Sequence, residues 1–124
     1  MNVVDSSGWL EYFADGPNAS VFADPLSDID SLVVPVVSIY EVFKVLLRER
    51  GETVALQGVA TMQGARVVEL TATLAISAAS ISLEHSLPMA DSIMLATARA
   101  HQATLWTQDI DFKDIQDVKY FSKE

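Results

Sequence analysis

Asp5, Glu41, Asp91 and Asp109 are the residues of this chain whose types and places best suit chemistry, with Asp111 close behind the last. Asp5 closes the apolar run Met1-Asn2-Val3-Val4, and Asp109 follows Thr104-Leu105-Trp106-Thr107. Glu41 falls in the first turn of the helix expected from Ser38, and Asp91 in the first turn of the helix expected after Pro88. Carboxylates brought within a few ångströms repel one another and raise one another's pKa values. A divalent cation relieves that repulsion. Oxygen ligands without Cys or His suit a hard ion, Mg²⁺ or Mn²⁺. Such an ion supplies a nucleophilic water, and carboxylate-held magnesium is the usual equipment for cutting phosphodiesters.

Taken singly, each acid also fits a structural role. Asp5 could N-cap the next helix. Ser38-Ile39-Tyr40-Glu41 has the form of a capping box, in which Glu41 reaches back to the Ser38 amide. Asp91 favours the positive end of its helix dipole, and Asp109 and Asp111 suit a turn. The elements that carry the acids decide whether they meet.

Short apolar strands alternate with helices. Strands are expected at residues 1–4, 32–34, 66–70 and 104–107, with a fifth, short and at an edge, at 118–121. Trp9, Leu10 and Phe13 mark a helix over 6–14, and Pro17 opens a short one through Phe22 and Ala23. Residues 27–31 read as a polar loop. Ser38 opens the clearest helix, with Ile39, Val42, Phe43, Leu46 and Leu47 on its apolar face and Gly51 at its end. A helix over roughly 53–62 stops before Gly64, and an Ala-rich helix covers 71–85. In the helix after Pro88, Met94, Leu95 and Ala98 form an apolar stripe that Asp91 heads. This pattern calls for an α/β fold with a mostly parallel central sheet of four or five strands and helices on both faces. Right-handed crossovers then bring the C-terminal ends of the strands, and all four acids, to one edge, where ligands bind in such sheets.

The length, 124 residues with half of them apolar, suits one domain over 1–124. The absence of cysteine excludes thiolate zinc sites and disulfides and is compatible with a reducing cytoplasm. The first residues lack a basic flank and a long apolar run, so no signal peptide is expected. The most apolar region, 67–83, is too polar for a membrane span and reads as a buried strand plus a helix. The net charge of −9 argues against a broad phosphate-gripping surface, and leaves room for metal ions, a local basic patch or a basic protein partner.

Val3-Val4-Asp5-Ser6-Ser7, Ser38-Ile39-Tyr40-Glu41-Val42, the run from Leu87 to Ala98 around Asp91, and Thr107-Gln108-Asp109-Ile110-Asp111-Phe112 resemble the four motifs of PIN-domain nucleases, in order and across nearly the whole chain. The likeness is closest to the VapC toxins of bacterial and archaeal toxin–antitoxin pairs. It implies a PIN-like three-layer α/β/α fold and a metal-dependent endoribonuclease that leaves a 5′-phosphate and a 3′-hydroxyl. It also implies a homodimer and a cognate antitoxin that occludes the site. By the same likeness Asp5, Glu41, Asp91 and Asp109 are the catalytic acids. Asp5, Asp91 and Asp109 hold Mg²⁺ or Mn²⁺, and Glu41 orients a water or helps to hold a second ion. Ser6, Thr107 and Asp111 are auxiliary. Trp106, bulky for a central strand, and the strongly negative charge depart from the family's usual look.

Few basic residues are available to guide RNA. Lys44 and Arg48, three and seven positions after Glu41, share its helix face and form a candidate phosphate track; the bland reading is a solvated face with an Arg48–Glu52 pair. His85 and His101 lie late in helices and favour their negative ends. Trp9 and Phe13 are expected in the core, the alternative being a groove for an antitoxin helix. Two rival functions stand beside the toxin nuclease. One is a catalytically silent PIN-like protein-binding module, against which the presence of all four acids counts. The other is a receiver-like phosphoacceptor, which needs paired acids after the first strand where this chain has Ser6 and Ser7.

Overall fold

Five short parallel strands run through the middle of the molecule: β1 (Asn2–Val4), β2 (Val33–Pro35), β3 (Arg66–Val68), β4 (Thr104–Thr107) and β5 (Val118–Tyr120). The structure is a computed structural model and describes all 124 residues. β4 lies between β1 and β5 in one three-stranded sheet, and β2 pairs with β3. A single parallel bridge, Asn2 with Leu32, joins the two. The expected central sheet is therefore a three-stranded sheet with a two-stranded pair set against its β1 edge. Strands this short give little ladder to share, so the join is one bridge wide.

Side chains alternate between the faces of a strand, and here they feed two cores. Val3, Val33 and Leu105 point to one face, where they meet Ala78 and Ile81 of α5 (Ala72–His85) and Ile93, Leu95 and Ala98 of α6 (Met89–Ala100), with Phe112. Val4 and Val34 point to the other. There they meet Trp9 of α1 (Ser6–Phe13), Phe22 of α2 (Ala19–Ser27), Val42 and Leu46 of α3 (Val36–Arg50) and Met62 of α4 (Glu52–Met62). The result is the three-layer α/β/α arrangement that the sequence pattern called for. Trp106 is accommodated on the second face: it stacks on Phe121, carries Lys119 over its ring, and donates its indole N–H to Asn2 Oδ1.

Three local differences from the sequence pattern have physical causes. α3 starts at Val36, not Ser38, because Pro35 stands at its N-cap with φ −62° already set. Ser38 is thereby drawn into the helix and buried with an unpartnered hydroxyl, and no capping box forms with Glu41. Only Leu74, Ala78 and Ile81 of α5 face inward, so Ile76 and Leu83 are 71% and 87% exposed. β3 is an exposed edge, so the 67–83 region is much less buried than its hydropathy suggests. In α6, by contrast, every residue from Ser92 to Ala98 is buried, because strands, α3 and α5 enclose it on more than the one expected stripe. His101 ends α6 with its Nδ1 3.0 Å from the Thr97 carbonyl, and His85 ends α5, as the sequence suggested. No helix is long and apolar enough to cross a membrane.

The loop from β1 into α1 sets the position of Asp5, and it depends on Gly8. A Cβ there would sit 2.5 Å from Val4 Cγ1 and 2.9 Å from two Phe22 ring carbons. Helix formation alone favours Ala over Gly, but this contact is the stronger effect. Gly8→Ala is expected to destabilise the protein by about 1–3 kcal/mol in urea unfolding. A stabilised variant would show that α1 does not press on β1 and α2 in this way.

Candidate active site

The acids come together where the strands end. Asp5 leaves β1, Glu41 lies in the second turn of α3, Asp91 in the first turn of α6, and Asp109 just after β4. With Ser6, Ser7, Leu10 and Val45 they line one cavity of about 260 Å³. Asp111 joins them from the 3₁₀ turn Ile110–Phe112, whose N-cap is Asp109. Carboxylate oxygens of Asp91, Asp109 and Asp111 lie within 4.8 Å of one another.

Local bonds hold the acids in place. Asp5 is 2% exposed and uses both oxygens: Oδ1 accepts from Ser7 Oγ at 2.7 Å and from the Gly8 amide at 3.0 Å, and Oδ2 accepts from Thr107 Oγ1 at 2.6 Å. Thr107 Oγ1 in turn accepts from the Asp109 amide at 2.9 Å, so one hydroxyl ties the first acid to the backbone of the fourth. Ser6 Oγ donates to Glu41 Oε1 at 2.7 Å, linking α1 to α3. Asp109 Oδ1 accepts from the Asp111 amide at 2.9 Å.

The electrostatics are those of a site short of positive charge. Asp91 is pushed up from 3.8 to about 7, first by burial and then by the charges of Asp109, Asp5, Glu41 and Asp111. Asp5 is pushed up to about 6 by burial, with Asp109 adding to it, although the Thr107, Ser7 and Gly8 hydrogen bonds pull the other way. The ion pairs of the protein are Arg48–Glu49, His85–Glu84 and Arg99–Asp117, and none includes a site acid. All-oxygen donors, close carboxylates and no cationic side chain paired with them fit a hard divalent ion.

All four sequence-predicted acids thus line one cavity, and the three auxiliary residues Ser6, Thr107 and Asp111 are bonded to them or beside them. The closely spaced set is Asp91, Asp109 and Asp111, however, while Asp5 stands behind it with both oxygens engaged. The sequence pattern missed Ser7, which also accepts from the Gln108 amide at 3.3 Å, and Gln108, which is buried with its Oε1 held by Asn18 Nδ2 at 3.0 Å. A second hydroxyl directly after Asp-Ser was the available signal for Ser7. Nothing in the sequence announced Gln108. Lys44 and Arg48 do not line the acidic cavity; Lys44 lies 5.6 Å from the Tyr40 ring centroid, and Arg48 pairs with its neighbour Glu49 and not with Glu52. Trp9 is core and Phe13 packs against it, their rings 5.7 Å apart.

The sequence profile of the PIN domain matches residues 3–118. The chain belongs to the PIN domain family. No curated protein matches its sequence. Among solved structures, this PIN domain is similar to a toxin–antitoxin complex from Klebsiella pneumoniae, at 18% identity and TM-score 0.81 over 98% of this chain and 99% of that one. It is similar also to VapC20 of Mycobacterium tuberculosis, a toxin that cleaves the sarcin–ricin loop (19% identity, TM-score 0.79, 94% and 95% covered). A third likeness is to FitAcB of Neisseria gonorrhoeae (19% identity, TM-score 0.73, 99% and 98% covered). At these identities the likeness is one of fold.

The charge state of Asp91 gives a direct test of the geometry. Its folded pKa is raised, so its favourable contribution to stability is full below the ordinary 3.8 and is lost as the pH rises through about 7. In chelator-treated protein, Asp91→Asn is expected to melt a few degrees (about 2–6 °C) above the wild type at about pH 8. The gap should shrink towards about pH 4. An Asn variant that melts below the wild type at the higher pH would mean that Asp91 is not crowded by the other acids.

Proposed function

We propose that this PIN domain is a metal-dependent endoribonuclease, the toxin of a toxin–antitoxin pair. The observation that carries the reading is the cavity at the strand ends, where four acids from four separate elements meet with no cationic partner. Membership of the PIN family and the toxins among its structural neighbours support it.

Asp91, Asp109 and Asp111 are the residues proposed to hold Mg²⁺ or Mn²⁺, with Asp5 behind them adding negative charge and fixing Thr107. When bound, the ion supplies a Lewis acid to the phosphoryl oxygens and acidity to a coordinated water. The residues do the rest. Thr107 holds Asp5 with one bond and the Asp109 backbone with another, so the acids keep their spacing while they are mutually repelled. Glu41, anchored at Oε1 by Ser6, retains Oε2 to orient the attacking water and take its proton. Water adds to phosphorus as the bond to the 3′ oxygen breaks, the 3′ oxygen takes up a proton from solvent, Glu41 returns its own to solvent, and the products are a 5′-phosphate and a 3′-hydroxyl. Nothing in this sequence of events uses the 2′-hydroxyl, so some cleavage of single-stranded DNA is chemically admissible.

The partners proposed are RNA, an antitoxin that covers the acidic cavity, and a second copy of the chain. Toxin–antitoxin assemblies among the structural neighbours support the antitoxin.

Calorimetric titration with Mn²⁺, paired with cleavage of a panel of RNAs, tests the reading. Wild-type protein should bind Mn²⁺ saturably and cut RNA only with metal present. Asp91→Asn should stay folded, lose most of its Mn²⁺ affinity and fall at least about 100-fold in cleavage. Wild-type protein that neither binds Mn²⁺ at millimolar concentration nor cuts any RNA would sink it.

A further inference from the structure

A cavity of about 450 Å³ opens beside the acidic one, and Asp109 lines both. Lys113, Lys123, Tyr120 and Ile110 line it as well. The two lysines are ten residues apart in sequence and come together through the C-terminal strand. β5 pairs Tyr120 with Thr107, the Phe121 amide donates to the Thr107 carbonyl at 2.9 Å, and Asn18 Nδ2 donates to the Ser122 carbonyl at 3.0 Å. The segment that bears Lys123 is therefore tied to the site threonine and to α2. Neither lysine is in an ion pair. Lys123 and Gln108 also line the next cavity, which runs past Ser7 to Arg50. Three of the chain's eight basic residues thus line these two neighbouring cavities, together with the acids Asp109, Glu124, Glu11 and Glu49.

We propose that the cavity of Lys113, Tyr120 and Lys123 is a nucleotide subsite, which binds the RNA residue next to the scissile bond with the lysines on its phosphate and Tyr120 against its base. The proposal rests on the nuclease reading above and adds to it where the strand lies. A single strand alternates one phosphate charge with one flat base. Cavities that bind it combine cations on the backbone with aromatic faces for stacking. This cavity offers both within reach of Asp109. Glu124 also lines it, so an acidic peptide would meet two carboxylates there, whereas a nucleotide presents a single phosphate to the lysines and an apolar face elsewhere. The subsite differs from the Lys44–Arg48 face, which borders neither of these two cavities.

The test is fluorescence anisotropy with a labelled single-stranded RNA oligonucleotide of mixed sequence, in an Asp91→Asn background that binds without cutting. Salt is varied, and Mn²⁺ binding is measured in parallel on chains that keep Asp91. Lys113→Ala with Lys123→Ala should weaken RNA binding about tenfold and lower the slope of log affinity against log salt by about 1.4, the value for two lost phosphate contacts on a single strand. Mn²⁺ binding should be unchanged by the double substitution. Lys44→Ala with Arg48→Ala should change affinity and slope much less. RNA binding by the parent that the Lys113 and Lys123 substitutions leave intact, in affinity and slope, overturns the subsite and leaves the nuclease reading standing. Competition by an oligoglutamate peptide as strong as that by RNA, lost with the same lysines, overturns it in favour of a peptide site. A parent that binds no RNA, together with a wild type that cuts none in Mn²⁺, removes the nuclease reading and the subsite together.

Discussion

Repulsion among carboxylates is the constraint on which this structure turns. Asp5, Glu41, Asp91 and Asp109 are brought to one cavity by four different elements, with Asp111 beside them, and no basic side chain pairs with any. The fold lessens that cost locally. Asp5 caps α1 through the Gly8 amide, Asp109 caps the 3₁₀ turn through the Asp111 amide, and Asp91 sits in the first turn of α6. Asp5 and Asp109 thus accept from backbone N–H groups at the positive end of a helical segment, and Asp91 lies at such an end. That is not enough to restore ordinary acidity, since Asp5 and Asp91 remain raised to about 6 and about 7. Capping and catalysis are therefore not rival explanations for Asp5 and Asp109. The cap is the device that fixes the acid where the proposed chemistry needs it.

Rigidity around the acids comes from two sources. α6 is buried along its whole middle, so Asp91 projects from a helix packed against the strands, α3 and α5. Thr107 ties the end of β4 to the end of β1, and Ser6 ties α1 to α3. Both bonds join elements far apart in sequence, and each uses a small hydroxyl that fills little space between carboxylates. Replacing Thr107 by a longer polar residue would crowd Asp5 and the Asp109 backbone, because the backbone pairing of β1 with β4 sets the approach of the strand ends.

The sequence was most informative where a single residue type has a single strong reason to be in place. Apolar runs that end in an acid gave the strands and the edge at which they finish, and the acids at those ends gave the cavity. It was least informative where the answer depends on tertiary neighbours. Ser38 and Glu41 satisfy a capping pattern, yet Pro35 starts the helix two residues early and leaves the box unmade. Ile76 and Leu83 look like core in a hydropathy plot, but only the face through Leu74, Ala78 and Ile81 meets another helix. The close trio of Asp91, Asp109 and Asp111 depends on the 3₁₀ turn after Asp109, and the approach of Lys123 to Lys113 on the path of β5. Neither follows from residue spacing.

The same distinction bears on how an acidic protein would meet the polyanion proposed as its substrate. A net charge of −9 describes the far field, which salt screens beyond a Debye length of about 8 Å at physiological ionic strength. What a phosphate meets at the site is set by the few groups inside that distance. On one side are carboxylates that favour a divalent cation, and on the other lie Lys113 and Lys123 with no acid paired to either. Glu124, Glu11 and Glu49 line the cavities beside the site, and the effect of the acids farther away is screened at physiological salt. On the proposed nuclease reading, binding would then depend on where Lys113 and Lys123 stand beside the site and not on the number of positive charges.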